Sequence, residues 1–589
     1  MDILLVNGVD FLYTNIVTQL GLLSLKNVLS GKYAVDIVNF DYLHHSGELP
    51  FKDTVEENIE LFVDYLLRLN PKVVGFYTIC NSYAITLTLA RRIKESNRDI
   101  QIVFGGPQAT LTAEDTLSYF PFVDVVALGE SELFIEELMD ALVNNKELAA
   151  VPSIAYREDG VFVRKEMCPL IPGDQLGSYT VFNYDSEEFE EFPRFFLEAG
   201  RGCPFGCTFC STSVFWGRKF RIKPVGVLID EMKIFYEKYD VKLFGLTHDM
   251  LTVNRKYIHE FCNRLIAEDL PFHWSCSSRI DILDDETIRL MWEAKCTDIY
   301  IGIETGSQHM QQNVKKNINI DKARSTILKL KETGFSLTVS FIYGFPDETA
   351  RDLHETLSMM EFLYKHDIRR VQLHLYMPLP STIETDKIKE QLYFDETDVD
   401  LSIYNAKIFN HELNDMVRKY PSVFLQFYTF ESDVRNRYKR LDLLISLIST
   451  VMSYYSSCIN YLIQKYGLAR LYDRYRPQIN DCHNRINEMP IDVRFDYESL
   501  IPVYFGLADT MFRDEIAGSP SLYFEQVYRC EDLLYRYFTD KTQEDVVYKF
   551  DIDIIQARRS GVCIEKESFI KFSRQNDKIK VSSLKLELV

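Results

Sequence analysis

The stretch RGCPFGCTFCSTSVFWGRKFR, residues 201–221, places three cysteines within eight positions. Cys203, Cys207 and Cys210 are separated by three and two residues, and flanking glycines let the backbone turn toward a ligand without steric cost. Three thiolates at this spacing can ligate three irons of a cubane cluster and leave the fourth iron open. Zinc would require a fourth Cys or His at close spacing, and the nearest downstream histidine is His248. The spacing therefore favours an open [4Fe–4S] cluster over a zinc site.

The full motif, C-x3-C-x2-C with Phe209 before the last cysteine, resembles the signature of the radical SAM superfamily. The resemblance implies that the open iron chelates the amino and carboxylate groups of S-adenosylmethionine (SAM). It also implies that an external reductant, of flavodoxin or ferredoxin type, reduces the cluster. The reduced cluster would then cleave the sulfonium and yield a 5′-deoxyadenosyl radical.

Downstream of the cysteines, short strands alternate with helices in the rhythm of a partial (β/α)6 barrel, which we expect over residues 191–400. The predicted strands are KLFGLTHD (242–249), FHWSCSSRID (272–281), DIYIGIETGS (298–307), SLTVSFIYGFP (336–346) and RVQLHLYMPLP (370–380). The carboxyl ends of such strands carry the chemistry. His248 and Asp249 end the first of these strands and are expected to face the cavity, without an assigned role.

Four side chains are predicted to contact SAM. In this resemblance Glu304 would bond the ribose hydroxyls, although a satisfied structural carboxylate is the alternative. Arg279 would meet the SAM carboxylate or form a structural salt bridge. Ser340 and the stretch 343–346 would flank the adenosine or the substrate. The complete predicted set is Phe209, Arg279, Glu304 and Ser340, and no residue is assigned as catalytic.

Residues 1–150 predict a doubly wound parallel sheet. The predicted strands are DILLV (2–6), YAVDIVNF (33–40), KVVGFYTI (72–79), IQIVFGG (100–106) and VDVVALGE (123–130). In such sheets the ligand lies beyond the carboxyl ends of the strands. A dinucleotide is disfavoured because the loop after the first strand lacks a G-x-G-x-x-G motif.

Two loops of this region, GGPQAT (105–110) and GESE (129–132), resemble those of the cobalamin-binding domain that precedes many radical SAM enzymes. The predicted cobalamin contacts are Asn7, Thr78, Asn81, Ser82, Gly105, Gly106, Gln108, Thr110, Gly129 and Glu130. In the methionine-synthase type of this domain, a D-x-H-x-x-G loop supplies a histidine to cobalt. The corresponding stretch here, GVDFLYTN (8–15), has no histidine. We therefore expect no imidazole ligand from this loop.

The last third of the chain has a different character. Residues 401–589 are expected to form a mainly helical domain that shapes the substrate pocket, an inference from position alone. Residues 151–190 are expected to be a linker with a hairpin. The predicted elements of the last third are helices over 441–467 and 523–538 and strands over 546–557 and 578–589.

Composition limits the classes of partner. The 589 residues carry a net charge of −21, which opposes binding to nucleic acid and to anionic membranes. The fragment RKFRIK (218–223) is a short basic exception. The chain begins without a signal-peptide pattern, and its most apolar stretch, 441–455, is too short to span a bilayer. Twelve scattered cysteines then predict a reduced, cytoplasmic protein acting on a small molecule or peptide.

The resemblance to cobalamin-dependent radical SAM enzymes covers about residues 1–390. It implies methyl transfer to an unactivated carbon: one SAM methylates cob(I)alamin, a second yields the radical, and the substrate radical takes the methyl group. A rearrangement, cyclisation or oxidation with the same cofactors is the alternative. An electron-transfer protein is disfavoured by the open iron. A tRNA methylthiotransferase would need more N-terminal cysteines than Cys80 and Cys168.

Overall fold

The structure is a computed structural model of the chain. It describes residues 1–9, 19–179, 195–395, 411–489, 497–518, 521–539, 546–560, 563–564, 566, 568–575 and 578–584. The chain forms two compact units. The first comprises Met1–Asp352, His374–Arg437 and Met489–Asp496, and the second comprises Leu353–Leu373, Tyr438–Glu488 and Tyr497–Val589.

The N-terminal sheet has seven strands: β1 Ile3–Val6, β2 Val35–Val38, β3 Val73–Tyr77, β4 Gln101–Gly105, β5 Val125–Ala127, β6 Ile154–Glu158 and β7 Val161–Arg164. Their order is β2-β1-β3-β4-β5-β6-β7. Strands β1 to β5 pair in parallel, and the hairpin β6–β7 adds an antiparallel edge. The predicted parallel sheet is confirmed. Its order reverses between β1 and β3, and a ligand is expected at the carboxyl edge there.

Helices cover both faces of this sheet. They span Leu20–Leu29, Phe40–His45, Val55–Arg68, Tyr83–Ser96, Pro107–Leu111, Ala113–Tyr119 and Ile135–Val143. Successive residues of a strand point to opposite faces, so Leu4 packs in one core and Leu5 in the other. The segment His411–Lys419 and the residues up to Tyr428 pack on the same side as Leu4. Strands buried on both faces explain why their sequences read as continuous apolar runs.

The second sheet has six strands: β8 Phe195–Glu198, β11 Leu243–Thr247, β12 His273–Ser278, β13 Cys296–Glu304, β14 Ser336–Tyr343 and β15 Arg370–Leu375. Their order is β15-β14-β13-β12-β11-β8, and neighbours from β8 to β14 run parallel. Two short strands, β9 Gly200–Arg201 and β10 Arg221–Ile222, pair antiparallel on either side of the cysteine stretch. The predicted partial barrel is confirmed, with β8 as a strand that the sequence patterns had not indicated.

Side-chain caps determine where several barrel helices begin. These helices span Ser211–Phe215, Val225–Tyr239, Arg255–Ala267, Asp285–Glu293, Gln308–Asn313, Ile320–Thr333, Ala350–Lys365 and Ile383–Ile388. Asn254, for example, accepts the N–H of Tyr257 at 3.2 Å, and Asp284 accepts that of Thr287 at 2.8 Å. Each cap follows the carboxyl end of a barrel strand. Both caps therefore satisfy an N–H of the first helical turn after a barrel strand.

The second unit is mainly helical, as predicted. Its further helices span Leu441–Val451, Ser456–Tyr466, Leu468–Asn487, Tyr497–Gly518, Leu522–Thr539 and Ile554–Ser560. Its strands, β16 Val546–Phe550, β17 Ser568–Gln575 and β18 Lys578–Leu584, form an antiparallel sheet.

Three details of the second unit differ from the sequence expectation or lie beyond the described residues. The helical stretch 441–467 is two helices rather than one. The strand expected over 546–557 ends at Phe550, because Asp553 accepts the N–H of Gln556 at 3.1 Å and starts a helix. Residues 585–589 of the last predicted strand lie outside the described residues. Among the described helices, none is both long and apolar enough to cross a bilayer.

Candidate functional site

The three cysteines lie on the loop between β9 and the helix Ser211–Phe215. All three are half-buried and free of disulfides. Burial raises the pKa of Cys203 and of Cys207, and the nearby cations Lys316 and Arg279 partly oppose that rise at Cys207. Neutral thiols are therefore preferred in the absence of a further positive charge. A bound metal centre would supply that charge and stabilise the thiolates.

The cysteine loop begins at a residue that must be glycine. Gly202 has φ +86°, and a Cβ there would overlap the carbonyl oxygen of Lys219. Its N–H donates to the carboxylate of Asp249 at 2.9 Å, so the exposed Asp249 at the end of β11 holds the start of the loop. The antiparallel pair β9–β10 and this hydrogen bond fix the entry to the cysteine motif.

Thr208, between the second and third cysteines, is bound through all of its polar groups. Its N–H donates to the carbonyl of Val314 at 3.1 Å and its hydroxyl donates to Glu384 at 2.6 Å. Its carbonyl accepts the backbone N–H of Glu384 at 3.2 Å. Thr208 and Glu384 are both buried, and Lys387 lies 2.9 Å from the second oxygen of the Glu384 carboxylate. Glu384 is a site residue that the sequence patterns did not indicate.

The predicted SAM contacts Arg279 and Glu304 lie together beside Cys207. Lys316 joins them: its ammonium lies 2.8 Å from the Glu304 carboxylate, and its carbonyl accepts the Arg279 guanidinium at 2.6 Å. Arg279 also pairs with Asp281 at 2.9 Å, which is the structural salt bridge considered from the sequence. The sequence analysis did not predict Lys316 as a site residue. The only sequence feature that could have indicated it is the lysine pair in NVKKN (313–317).

Glu304 has an unusual backbone for a glutamate. It is the last residue of β13, with φ +68°, and the pairing with β14 shifts register between Gly302 and Glu304. A bulge of this kind redirects a side chain at the end of a strand. Ser340 lies opposite Gly302 on β14 and is buried. The two predicted SAM contacts Glu304 and Ser340 therefore belong to adjacent strands.

An apolar cluster borders the cysteine loop on another side. Phe209 packs edge-on against Phe345, with ring centroids 5.6 Å apart, and Phe345 lies 5.3 Å from Tyr376. Glu348, which the sequence analysis did not single out, accepts the backbone N–H of Gly344. Burial raises the pKa of Glu348 from 4.5 to about 8, so this acid is largely protonated below that pH.

His248 is held in one neutral tautomer. Its Nδ1 accepts the N–H of Met250 at 2.8 Å, so Nε2 carries the proton and donates to the carbonyl of Arg221 at 3.1 Å. Burial lowers the pKa of His248 to about 4. Across the described ranges, no three His, Cys, Asp or Glu side chains converge on a single metal ion. A cubane cluster presents its irons at separate corners, so its ligands do not need to converge on one point.

A cavity of about 470 Å³ lies at the carboxyl edge of the N-terminal sheet. Its inner part is apolar and includes Leu5, Leu22, Val103, Ile135 and Met139. Its outer part includes barrel residues Glu198, Arg201, Phe215 and Trp216. Four of the predicted cobalamin contacts line it: Gly105, Gly106, Gly129 and Glu130. Gly106 has φ +98°, and a Cβ there would lie 2.7 Å from the carbonyl oxygen of Thr78.

Other predicted cobalamin contacts do not line the cavity, and three of them form hydrogen bonds within the protein. Thr78 donates to the carbonyl of Gly105 at 2.8 Å, and Thr110 accepts the N–H of Gly129 at 3.1 Å, so both hold the glycine loops. Gln108 donates to the carbonyl of Val423 at 2.8 Å, away from the cavity lining. Asn81 is buried in the loop that precedes the helix Tyr83–Ser96.

Two predicted cobalamin contacts, Asn7 and Ser82, have side-chain polar atoms without a hydrogen-bond partner among the described residues. Both side chains are buried. Buried polar atoms are nearly always satisfied. Asn7 directly follows β1 and Ser82 lies in the loop after β3, and neither side chain is among those that line the cavity. Residues 10–15 of the stretch 8–15 lie outside the described residues.

A buried ionic network joins this cavity to the cysteine loop. Arg201 lies 2.9 Å from Glu130, 2.7 Å from Glu132 and 2.6 Å from Glu198, and Arg221 lies 2.6 Å from Glu130. Burial favours the neutral form of Glu132, yet Arg201 holds the pKa of this carboxyl below its ordinary value. Glu130 thus lines the cavity with a carboxylate already bound by two guanidinium groups. The helices Pro107–Leu111 and Ser211–Phe215 are also in contact.

Known families match both halves of this arrangement. The B12 binding domain matches residues 11–139, and the Radical SAM superfamily matches residues 197–360. An uncharacterised methyltransferase of Pyrococcus horikoshii is 31% identical over 318 residues, 54% of this chain and 69% of the relative. An anaerobic magnesium-protoporphyrin IX monomethyl ester cyclase of Rubrivivax gelatinosus is 32% identical over 311 residues. That match covers 50% of this chain and 55% of the cyclase.

Solved structures share the fold at low identity. The cobalamin-dependent SAM radical enzyme OxsB, with aqua-cobalamin and SAM bound, aligns with a TM-score of 0.54 at 16% identity over 92% of this chain and 84% of its own. The radical SAM methyltransferase TsrM from Kitasatospora setae aligns with a TM-score of 0.55 at 15% identity over 66% of this chain and 76% of its own. The chain therefore belongs to the radical SAM superfamily, as an enzyme with a B12-binding domain whose cofactors are a [4Fe–4S] cluster, SAM and cobalamin.

Proposed function

We propose that the enzyme transfers a methyl group to an unactivated carbon of a small-molecule or peptide substrate. The observation that carries this proposal is the cavity at the carboxyl edge of the N-terminal sheet, whose outer wall includes Arg201, two residues before Cys203. A methyl donor bound there and a radical source on the cysteine loop would serve the same substrate. When bound, the cofactors supply a hydrogen-abstracting radical and a methyl group for the resulting carbon radical.

In this proposal Cys203, Cys207 and Cys210 ligate the [4Fe–4S] cluster. The turn at Gly202 and the hydrogen bonds of Thr208 hold the loop at both ends of the motif. Lys316 and Arg279 stabilise negative charge at Cys207. These contacts orient the ligand loop before a cluster binds, so less ordering is needed on binding.

For SAM, we propose that Glu304 accepts the ribose hydroxyls while the Lys316 ammonium, 2.8 Å away, holds its carboxylate in place. The ion pair at 2.8 Å and the bulge at Glu304 support this assignment. Arg279 keeps its bond to Asp281 and adds positive charge for the SAM carboxylate. Phe209 and Ser340 complete the predicted set and would exclude water from the adenosine.

For cobalamin, we propose that the apolar inner part of the cavity accepts the nucleotide tail and that the glycine loops approach the corrin ring. Asn7 and Ser82, buried beside this edge of the sheet with unpaired polar atoms, would hydrogen-bond its amides. Glu130 would act through Arg201 and Arg221 rather than by direct contact. No histidine of the stretch 8–15 is available to cobalt.

The predicted division of the chain assigns cobalamin to 1–150, a linker with a hairpin to 151–190, SAM chemistry to 191–400 and substrate shaping to 401–589; the hairpin β6–β7 itself extends the N-terminal sheet. We propose a cytoplasmic location, an external one-electron donor and no nucleic-acid or membrane partner. A small molecule is supported as substrate because TsrM was solved with its tryptophan substrate. The net charge of −21 supports the same class of partner.

A cyclisation or oxidation is the second candidate, favoured by the 32% identity to the magnesium-protoporphyrin ester cyclase. Trideuteromethyl SAM separates the two. The protein is reconstituted anaerobically with iron, sulfide and cobalamin and supplied with candidate substrates, SAM and reductant. Methyl transfer predicts a product that carries the deuterated methyl group. Deoxyadenosine with an altered but unlabelled product supports the cyclase-type reaction and contradicts methyl transfer.

A further inference from the structure

The inner part of the cavity at the carboxyl edge of the N-terminal sheet lies between strands of the sheet and two helices. Apolar side chains from β1, β4 and β5 and from the helices Leu20–Leu29 and Ile135–Val143 line it: Leu5, Val103, Ala127, Leu22, Ile135 and Met139. All of them belong to one core cluster. We call the part of the cavity that these strands and helices line the slot.

Gly75 on β3 gives the slot part of its room. It lies opposite Leu5 on β1 and lines the cavity. Gly75 is not among the glycines with positive φ, so its backbone conformation does not require glycine. A Cβ there would lie 3.2 Å from Leu5 Cδ2. A glycine inside a strand weakens the strand and often marks the close approach of a ligand. Space for a ligand is therefore the physical reason for this glycine.

Tyr77, two residues further along β3, brings one hydroxyl to the slot. Among the described lining residues in strands and helices of the N-terminal sheet layer, it alone has a polar side chain. Its ring packs on the same core cluster, and its hydroxyl forms no hydrogen bond with a described residue. Burial raises the pKa of Tyr77 to about 12, so the phenol keeps its proton at neutral pH and can donate a hydrogen bond.

The charged residues of the cavity lining are bound to one another at its outer end. Glu130, Glu132 and Glu198 all pair with Arg201. These pairs leave no charged group for a ligand in the slot, as far as the structure describes its lining. An aromatic ring that enters the slot therefore meets apolar walls and a single side-chain donor.

We propose that the slot selects cobamides by the base of their nucleotide tail, accepting benzimidazole-type bases and rejecting purine-type bases. The inference rests on the proposed function, which places the nucleotide tail in this part of the cavity. A benzimidazole in the slot is not bound to cobalt and has one free ring nitrogen, which accepts the Tyr77 hydroxyl. Adenine has an exocyclic amine and further ring nitrogens, which apolar walls would leave unpaired at a cost in free energy. A cresol-type base fits the walls but leaves the Tyr77 hydroxyl unpaired.

The test measures the affinity of the enzyme, reconstituted with iron and sulfide, for four corrinoids. They are cobalamin, adeninylcobamide, cresolylcobamide and cobinamide, which lacks the nucleotide tail. Anaerobic equilibrium dialysis with titanium(III) citrate keeps each of them as Co(I), in which no base is bound to cobalt. The variants are Tyr77→Phe and Gly75→Val. The matched control is Tyr156→Phe, whose buried hydroxyl on β6 also lacks a partner among the described residues but does not line the cavity.

We expect wild type to bind adeninylcobamide roughly a hundredfold more weakly than cobalamin, because several polar atoms of adenine lose their hydrogen bonds. Cresolylcobamide should bind with intermediate affinity. Tyr77→Phe should weaken cobalamin binding roughly fivefold and change cresolylcobamide binding less than about twofold. Gly75→Val should weaken binding of all three cobamides about tenfold or more and leave cobinamide binding unchanged. Tyr156→Phe should match wild type with every corrinoid.

Equal affinity of wild type for cobalamin and adeninylcobamide would overturn the proposed selection. Equal weakening of cobalamin and cresolylcobamide in Tyr77→Phe would show that the hydroxyl supports the fold rather than the base. Unchanged cobalamin binding in Gly75→Val would mean that the tail lies outside the slot. If Gly75→Val does not fold, Gly75→Ala carries the same comparison with a smaller expected effect. A wild-type protein that binds none of the four corrinoids would instead contradict the proposed function.

Discussion

Glu384 binds both the hydroxyl and the carbonyl of Thr208, at 2.6 Å and 3.2 Å, and so holds the cysteine motif between its second and third thiols. The two residues are 176 positions apart in the chain. Thr208 belongs to the loop of the proposed cluster, whereas Glu384 lies in the helix Ile383–Ile388, which follows the last barrel strand, β15. The contact ties the half-buried cysteine loop to the last helix of the barrel.

Thr208→Val is expected to destabilise the first unit by about 1–3 kcal/mol, because the buried Glu384 carboxylate loses a donor. Iron bound per chain after reconstitution should fall well below the wild-type value. Addition of SAM should also change the electron paramagnetic resonance spectrum of the reduced cluster less than it does in wild type. Thr208→Ser should restore both. The control is Thr326→Val, which removes an exposed hydroxyl bonded within a helix. Wild-type iron content and spectrum in Thr208→Val would show that Glu384 does not position the loop.

Glu304→Gln is expected to weaken SAM binding roughly tenfold to a hundredfold, since charge-assisted hydrogen bonds contribute about 1.5–3 kcal/mol. Iron content should stay near wild type. Affinity is measured by equilibrium dialysis of SAM against the reconstituted enzyme.

The double variant E304Q/K316M separates the two readings of Glu304. A purely structural glutamate would act through the unpaired buried Lys316, so removing both charges should restore SAM affinity. A glutamate that bonds the ribose leaves the double variant as weak as the single one. Recovery in the double variant would return Glu304 to a structural role.

Glu348 predicts a pH-dependent stability. Burial raises its pKa in the folded protein from 4.5 to about 8, so the folded state binds more protons than the unfolded state between those values. The contribution of protonated Glu348 to the free energy of unfolding is therefore fully present below about pH 4.5. It is lost as the pH rises through about 8. Glu348→Gln mimics the protonated acid. Its stability relative to wild type should therefore increase as the pH rises from about 6 to about 8.5.

The measurement is the difference in thermal midpoint between Glu348→Gln and wild type across roughly that pH range. Other titrating groups contribute equally to both proteins and cancel in the difference. Glu332→Gln, at an exposed helical position, is the control and should show a constant difference. A constant difference for Glu348→Gln as well would mean that its carboxyl is already ionised at low pH.

Arg201→Met is expected to cost about 3–5 kcal/mol, because it leaves buried carboxylates without their main partner. The amount of cobalamin that Arg201→Met retains after gel filtration should also fall below the wild-type amount. Glu130→Gln should lose less stability, since Arg201 still pairs with Glu132 and Glu198.

The control for this network is Lys26→Met, which breaks an exposed ion pair with Asp36 and should cost about 1 kcal/mol or less. Cobalamin content is read from the absorption spectrum of the bound cofactor. A Glu130→Gln variant that is fully stable yet binds no cobalamin would make Glu130 a direct contact, contrary to our assignment.

Local features of the chain were sufficient to predict much of the fold. Apolar runs that end in small polar residues predicted the strands of both sheets within a few positions. The cysteine motif is contained in eight residues, so its spacing alone predicted the cluster ligands and indicated the family. Strand β8 was missed because it has only four residues and follows an acidic stretch, so its apolar run is short. The short helix after Phe550 was missed because a single aspartate cap determines it.

The sequence by itself determined which residues are apolar, where turns are required and which ligands lie close along the chain. Only the tertiary structure decided which charged side chains meet. Lys316 meets Glu304 across the short helix Gln308–Asn313 that follows β13, whereas the pairs Glu384 with Thr208 and Arg201 with Glu130 join segments that are 176 and 71 residues apart. Periodicity reports burial within one element and carries no information about partners in another. Burial then makes these partners necessary, because a charge removed from water must be paired.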